Sequence, residues 1–301
     1  MKDAEGPLEI LPENLTDLSI IDGMQRTAAL SEAAKVDAVV LDADVRVEFW
    51  LARNVRSMVY RMLVLNTGQV PWTLARQLSV VYQPLLAEVL VKVPDIQRMF
   101  TPDRPGRRVD AGQYGADDLV ELYIAFSLRK TNVDTKEALS EEFSRLDFVE
   151  NLSDTAFQDQ FYSTLSLLVR LDKTFSRFEG QDTGRYNKGR NVFDSQPARI
   201  GFVVAVAQYV LGRPAMDREI ADRKKRMKEV INGATALMDR LDNRPGSGVG
   251  EFLRLDVLSE TLDRRVGQVG RYERALFFDA FKALIDEHFE LPNMEPCWRA
   301  N

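Results

Sequence analysis

One histidine and one cysteine in 301 residues bound the chemistry open to this chain before any motif is read. Ser-His-Asp or Cys-His catalysis would have to use His288, and a multi-histidine metal site is excluded. His288 follows the apolar positions Phe281, Leu284 and Ile285, so it reads as a structural residue at a helix end, where its cation suits the dipole. Cys297 has no second cysteine to pair with, a usage that suits a reducing compartment.

A basic excess is missing too. Lys and Arg number 40 against 46 Asp and Glu, giving a net charge of −6 and a pI near 5.2. A protein that coats nucleic acid without specificity carries the opposite balance, so any DNA contact must come from a local basic patch. No apolar run is long enough to span a bilayer: the longest, Ile200 to Leu211, contains Gln208. Met1 to Pro12 is polar and acidic, with neither the basic nor the apolar region of a secretory signal. The expectation is a cytoplasmic protein with no membrane partner. Hydrophobic residues at 45% and charged residues at 29% are ordinary for a globular chain with its own core.

Hydrophobic periodicity changes character along the sequence. Leu18 to Ile21 reads as a short strand, followed by a turn at Asp22-Gly23 and a helix through Ala34. Val45-Arg46-Val47-Glu48-Phe49 alternates with period two, the pattern of a strand with one buried face. From Val55 the spacing becomes helical, and Asn66-Thr67-Gly68 ends that helix. Thr101 to Gly115, rich in Pro, Gly and Arg, reads as a linker. Beyond it the apolar stripes are helical: Leu119, Leu122, Tyr123 and Phe126; then Phe157, Phe161, Leu165, Leu168 and Phe175; then a buried helix over Ala198 to Leu211. A long charged helix follows from about Asp217 to Asp242, broken by Arg244-Pro245-Gly246-Ser247-Gly248. Two last helices carry Phe252, Leu255, Leu258 and Leu262, then Phe277, Phe281 and Leu284. The predicted layout is an α/β N-terminal core with a small mixed sheet over 1–100, a linker over 101–115 and an all-α domain over 116–301, predominantly helical overall.

The stretch Ile20 to Leu30 carries the most chemistry. A strand, a tight Asp22-Gly23 turn and an abrupt helix start gather backbone N–H groups at a helix N-terminus, which attracts phosphate or another anion. Asp22 and Gln25 also have the spacing of a capping box, in which case the motif only starts a helix. Arg26 is unfavourable in a first helical turn by roughly 0.3–1 kcal/mol, a cost more easily understood beside an anion.

Asp22-Gly23-Met24-Gln25-Arg26 resembles the D-G-Q-H/Q-R signature of the DGQHR- and DUF262-type branches of the ParB/sulfiredoxin superfamily. Asn66-Thr67-Gly68-Gln69 resembles the N-T-x-Q/K segment of DGQHR proteins, in the same order along the chain, and the likeness covers about Leu18 to Leu90. Met24 stands where the family usually has Gln and where sulfiredoxins have their reactive cysteine, which excludes sulfiredoxin chemistry. The resemblance implies a ParB/sulfiredoxin-like core that binds nucleotide or DNA phosphate. It assigns Arg26 to phosphate, Gly23 to close approach, Asp22 to ordering the turn or a metal, and Asn66, Thr67 and Gln69, with Gln25, to the pocket. No cofactor is named by the residues; the resemblance leaves room for a nucleotide, with or without a divalent cation.

Two further clusters are basic. Arg104, Arg107 and Arg108 lie in the linker, and Tyr186, Lys188, Arg190 and Arg199 could meet a nucleic-acid backbone, with Tyr186 as a stacking face. Arg223 to Arg226 is flanked by acids at helical spacing and reads as a solvated face. Asp42 and Asp44 read as a turn that could also hold an ion. Three functions follow. The first is DNA- or nucleotide-phosphate binding in DNA modification, regulation or anti-phage defence, with protein partners of such a system. The second is a nucleotide-driven hydrolase or nuclease using Asp22 and Arg26. The third is a non-enzymatic helical scaffold.

Overall fold

The computed structural model describes residues 20, 23–49, 82, 85–101, 104–132, 155–180, 185–263 and 269–301. The chain divides into two compact units, Met1–Trp72 and Thr73–Asn301. Helices dominate, and among the described residues the sheet is one parallel pair of three-residue strands.

In the first unit, helix α1 spans Met24–Val36 and a 3-10 turn spans Ala38–Asp42. Asp37 caps that turn, its carboxylate accepting from the Val39 N–H at 3.0 Å. Residues 43–49 then run extended, but they join no ladder among the described residues, and Val45, Val47 and Phe49 are 57%, 63% and 54% exposed. The strand with one buried face expected from their alternation is corrected accordingly: the period-two pattern is real, but its apolar side is open. The apolar strand read over 18–21, Ile20 excepted, and the helix read from Val55 to Gly68 lie outside the described residues.

In the second unit, a helical stretch over 85–92 leads to β1 (Arg98–Phe100), which pairs in parallel with β2 (Gln113–Gly115), Met99 opposite Tyr114. Helix α2 (Ala116–Leu128) follows directly, then α3 (Thr155–Phe175). The short α4 (Arg190–Asp194) and α5 (Gln196–Leu211) come next, then α6 (Ile220–Asp242). The chain closes with α7 (Gly246–Leu253), α8 (Leu255–Leu262), α9 (Val269–Asp286) and α10 (Glu295–Trp298).

Helix α5 is wholly apolar from Ile200 to Ala207 and sits at the centre, packed on α9, α2, α6 and α3. That is what a helical stretch without a polar face must do. Gly201 permits the closest crossing: a Cβ there would lie 2.7 Å from the Phe277 carbonyl carbon of α9. The predicted stripes of α2 and α3 are buried as read, from Leu119 to Phe126 and from Phe157 to Phe175. Phe193 of α4 stacks between Phe175 and Phe281, at 5.7 Å from each ring. Trp298 sets its edge against both Phe277 and Phe281 and donates its indole N–H to Leu253 O at 2.6 Å. On α6 the buried face is Met227, Val230, Ala234, Leu237, Met238 and Leu241, whereas Ile220 is exposed. The break expected over Arg244 to Gly248 is shorter than read, since Gly246 already opens α7 behind Pro245.

The stretch read as a linker, 101–115, contains β2 and belongs to the second unit. His288 lies just past the end of α9, in left-handed backbone (φ 50) with Phe289 (φ 63). Its N–H and that of Phe289 return to Ile285 O and Leu284 O, closing the helix and burying Phe289.

Candidate functional site

The turn that opens α1 is built on Gly23. Its backbone is left-handed (φ 95, ψ 7), a conformation that costs other residues roughly 1–2 kcal/mol. The Gly23 carbonyl accepts from the Thr27 N–H at 2.8 Å and from Thr27 Oγ1 at 3.0 Å. Because Gly23 is the N-cap, Arg26 rather than Gln25 occupies the third helical position. Asp22, one half of the capping box read from Asp22 and Gln25, lies outside the described residues, and Gly23 itself brings no side chain to the cap. The first turn has no acidic residue, and Gln25 and Arg26 are both exposed. The Arg26 side chain folds back over the turn: its Nε and Nη2 lie 3.9 and 4.0 Å from where a Gly23 side chain would begin. A guanidinium thus lies beside the N-terminal end of a 13-residue helix, two positive features on one exposed turn. Asp22, Asn66, Thr67 and Gln69 lie outside the described residues.

The second unit places its charges differently. Asp172 of α3 is completely buried and accepts four hydrogen bonds. Arg108 Nη1 and Nη2 donate to it at 2.9 and 2.7 Å, the Gly112 N–H at 3.1 Å and the Tyr114 hydroxyl at 2.7 Å. Arg108 Nε also donates to Asp194 at 2.6 Å, and Arg190 Nε donates to the other oxygen of Asp194 at 3.2 Å. Arg199 donates to Asp118 at 2.9 Å and to the carbonyls of Phe193 and Asp194. The Tyr114 ring lies between two guanidinium groups, 5.3 Å from that of Arg108 and 5.6 Å from that of Arg199. Burial opposes the charge on Arg108, but the hydrogen bonds and charge of Asp172, with Asp194, hold its pKa above the ordinary arginine value. Burial, then the Asp172 charge, push the Tyr114 hydroxyl well above the usual tyrosine range.

Arg108, Arg190 and Arg199 face Asp172, Asp194 and Asp118 here, so the network is balanced and its donors are committed. It ties β2 and the preceding loop to α2, α3, α4 and α5. Its chemistry is that of a lock, since buried charges so fully paired leave little for a ligand to claim.

This arrangement revises the basic cluster read around Tyr186. The Tyr186 ring is buried against Phe277, with centroids 6.2 Å apart, and so has no open stacking face. Arg199 is buried in the network, and Arg190 is shared between Asp194 and Val109 O. Lys188 reaches Glu179 at 3.5 Å. Arg108, read as part of a basic linker, is likewise interior, while Arg104 and Arg107 are exposed. Asp42 ends the 3-10 turn, and Glu48 pairs with Arg46 at 3.0 Å. Among the described residues no group of three or more His, Cys, Asp or Glu is placed to hold a metal ion, and no helix is long and apolar enough to cross a membrane.

The importance of Asp172 was signalled in the sequence. Leu165, Leu168, Asp172 and Phe175 follow helical spacing, which puts a carboxylate in the middle of an apolar stripe. Such an acid must be paired to be buried. Its partner, 64 residues earlier, has no local signature.

No protein-family model matches the chain. No curated protein matches it, and no solved structure does.

Proposed function

We propose that this chain binds a phosphate-bearing ligand, a nucleotide or DNA, at the turn that opens α1, and that its place is in DNA modification, regulation or defence. One observation carries the reading: the Arg26 guanidinium lies over left-handed Gly23 at the glycine-capped start of an exposed helix. Backbone N–H groups of a first helical turn and an arginine fork are two recurrent recognisers of phosphate oxygens. The resemblance of Asp22 to Arg26 to the ParB/sulfiredoxin turn, with the small α/β core which that implies, supports the same reading. The same resemblance assigns Asn66, Thr67 and Gln69, which lie outside the described residues, to the ligand.

The test is titration of the full chain with ATP, inorganic phosphate and a short DNA duplex at two salt concentrations. Saturable, salt-weakened binding of at least one is expected. An absence of binding to all three at low salt contradicts it.

One observation favours a second reading, a helical scaffold in which the turn only starts α1: the second unit has its buried cations matched by carboxylates, as a structural bundle does. That reading gains if the three titrations are flat.

A further inference from the structure

The extended segment after the 3-10 turn carries an apolar row and a charged row. Val45, Val47 and Phe49 form the first and are all more than half exposed; Arg46 and Glu48, neighbours on the other face, form the second. Extended backbone that joins no ladder among the described residues, carrying exposed apolar side chains, is a template for pairing with another strand. The first unit is rich in such surface: Val36, Val39 and Leu41, just before the segment, are exposed as well.

The order of residues says what the other strand is. Laid antiparallel against itself about Val47, the sequence Val45-Arg46-Val47-Glu48-Phe49 sets Arg46 opposite Glu48 of the second strand, twice by symmetry. Val45 then faces Phe49, and Val47 faces its own copy. Opposite charges and aromatic–β-branched pairs are both favourable when directly cross-strand. In-register parallel pairing would instead set Arg46 against Arg46 and Glu48 against Glu48, which is unfavourable. We propose that residues 45–49 pair antiparallel with the same residues of a second copy of this chain, centred on Val47, to form an isologous dimer. Two strands alone are marginally stable, so the exposed apolar side chains of Val36, Val39 and Leu41 supply the further surface that such a dimer buries.

Charge reversal tests the register directly. Arg46→Glu sets two acids against two acids in the homodimer, and Glu48→Arg sets two bases against two bases. Each variant should weaken the dimer roughly tenfold, measured by sedimentation equilibrium of the full chain. An equimolar mixture of the two variants restores both cross-strand pairs and should recover wild-type affinity as a heterodimer. Mixing cannot repair the Arg46–Glu48 contact within one chain, so recovery reports the intermolecular pairing alone. A wild type that stays monomeric across the concentration range overturns the proposal. So does a dimer indifferent to either reversal, or one that the mixture fails to restore.

Discussion

Arg108 grips the buried Asp172 carboxylate with both terminal nitrogens, at 2.9 and 2.7 Å, across 64 residues of sequence. The pair joins the loop before β2 to the last turn of α3, and Tyr114 and Gly112 donate to the same carboxylate. Removing Asp172 leaves the interior Arg108 with Asp194 as its one carboxylate partner and strips the Gly112 N–H and the Tyr114 hydroxyl of their acceptor. Asp172→Ala should therefore lower unfolding free energy by about 3–5 kcal/mol. The double variant Arg108→Met, Asp172→Leu should lose clearly less, because neither charge is left behind. Urea denaturation of the three proteins measures both values, and equal losses would mean that the pair is not the source of the effect.

Gly201 offers a second test, in which two effects oppose each other. In an exposed helix Gly→Ala stabilises by about 1 kcal/mol. Here the added methyl would lie 2.7 Å from the Phe277 carbonyl carbon and 2.8 Å from the Phe278 nitrogen, backbone atoms that cannot rotate away as a side-chain end could. The clash should win, and Gly201→Ala should destabilise by roughly 1–3 kcal/mol in a thermal melt. Stabilisation would show that α5 and α9 can move apart at no cost.

The one cysteine links stability to pH. Burial, and then the Glu287 charge, push the Cys297 thiol up to about 12. An unfolded thiol ionises near about 8.5. Its folded value is raised, so the contribution is fully present below about 8.5 and is lost as pH rises toward 12. The stability of wild type should fall over that window more steeply than that of Cys297→Ala, and alkylation of Cys297 at neutral pH should require unfolding. Parallel pH profiles for the two proteins would contradict the assignment.

Much of the helical unit was legible because each stripe could be read within one helix: Leu119 to Phe126 and Phe157 to Phe175 needed only local spacing. What was not legible depends on partners distant in sequence. Arg199 and Tyr186 looked like a basic, aromatic surface until Asp118 and Phe277, both far away along the chain, drew them inside. The stretch 101–115 looked like a linker by composition, yet its Arg108 and Tyr114 are interior. Val45 to Phe49 shows the converse limit, since alternation specifies an extended backbone with two distinct faces but not what covers the apolar one. At the turn, Asp22-Gly23 announced a helix start; the left-handed glycine cap that moves Arg26 to the third helical position is a backbone fact that spacing could not supply.

The glycine cap makes its own prediction. Gly23→Ala places a Cβ in left-handed backbone and should destabilise the start of α1 by about 1–2 kcal/mol. Helical circular dichroism of the variant, read against wild type over a temperature ramp, should show early fraying of that helix. An unchanged melt would mean that the turn tolerates another backbone geometry.

Binding by Arg26→Ala tests the phosphate reading most directly. Arg26 is exposed, and its position in the first turn is unfavourable for a cation, so its removal should change stability by well under ~1 kcal/mol. Loss of a charge-assisted contact to phosphate should weaken binding of ATP or a short duplex by roughly 1.5–3 kcal/mol, tenfold or more. The account predicts an unshifted thermal melt together with that loss, measured by isothermal titration of wild type and variant side by side. A variant that melts much earlier than wild type, yet binds as tightly, would show that Arg26 is structural and contradict the account.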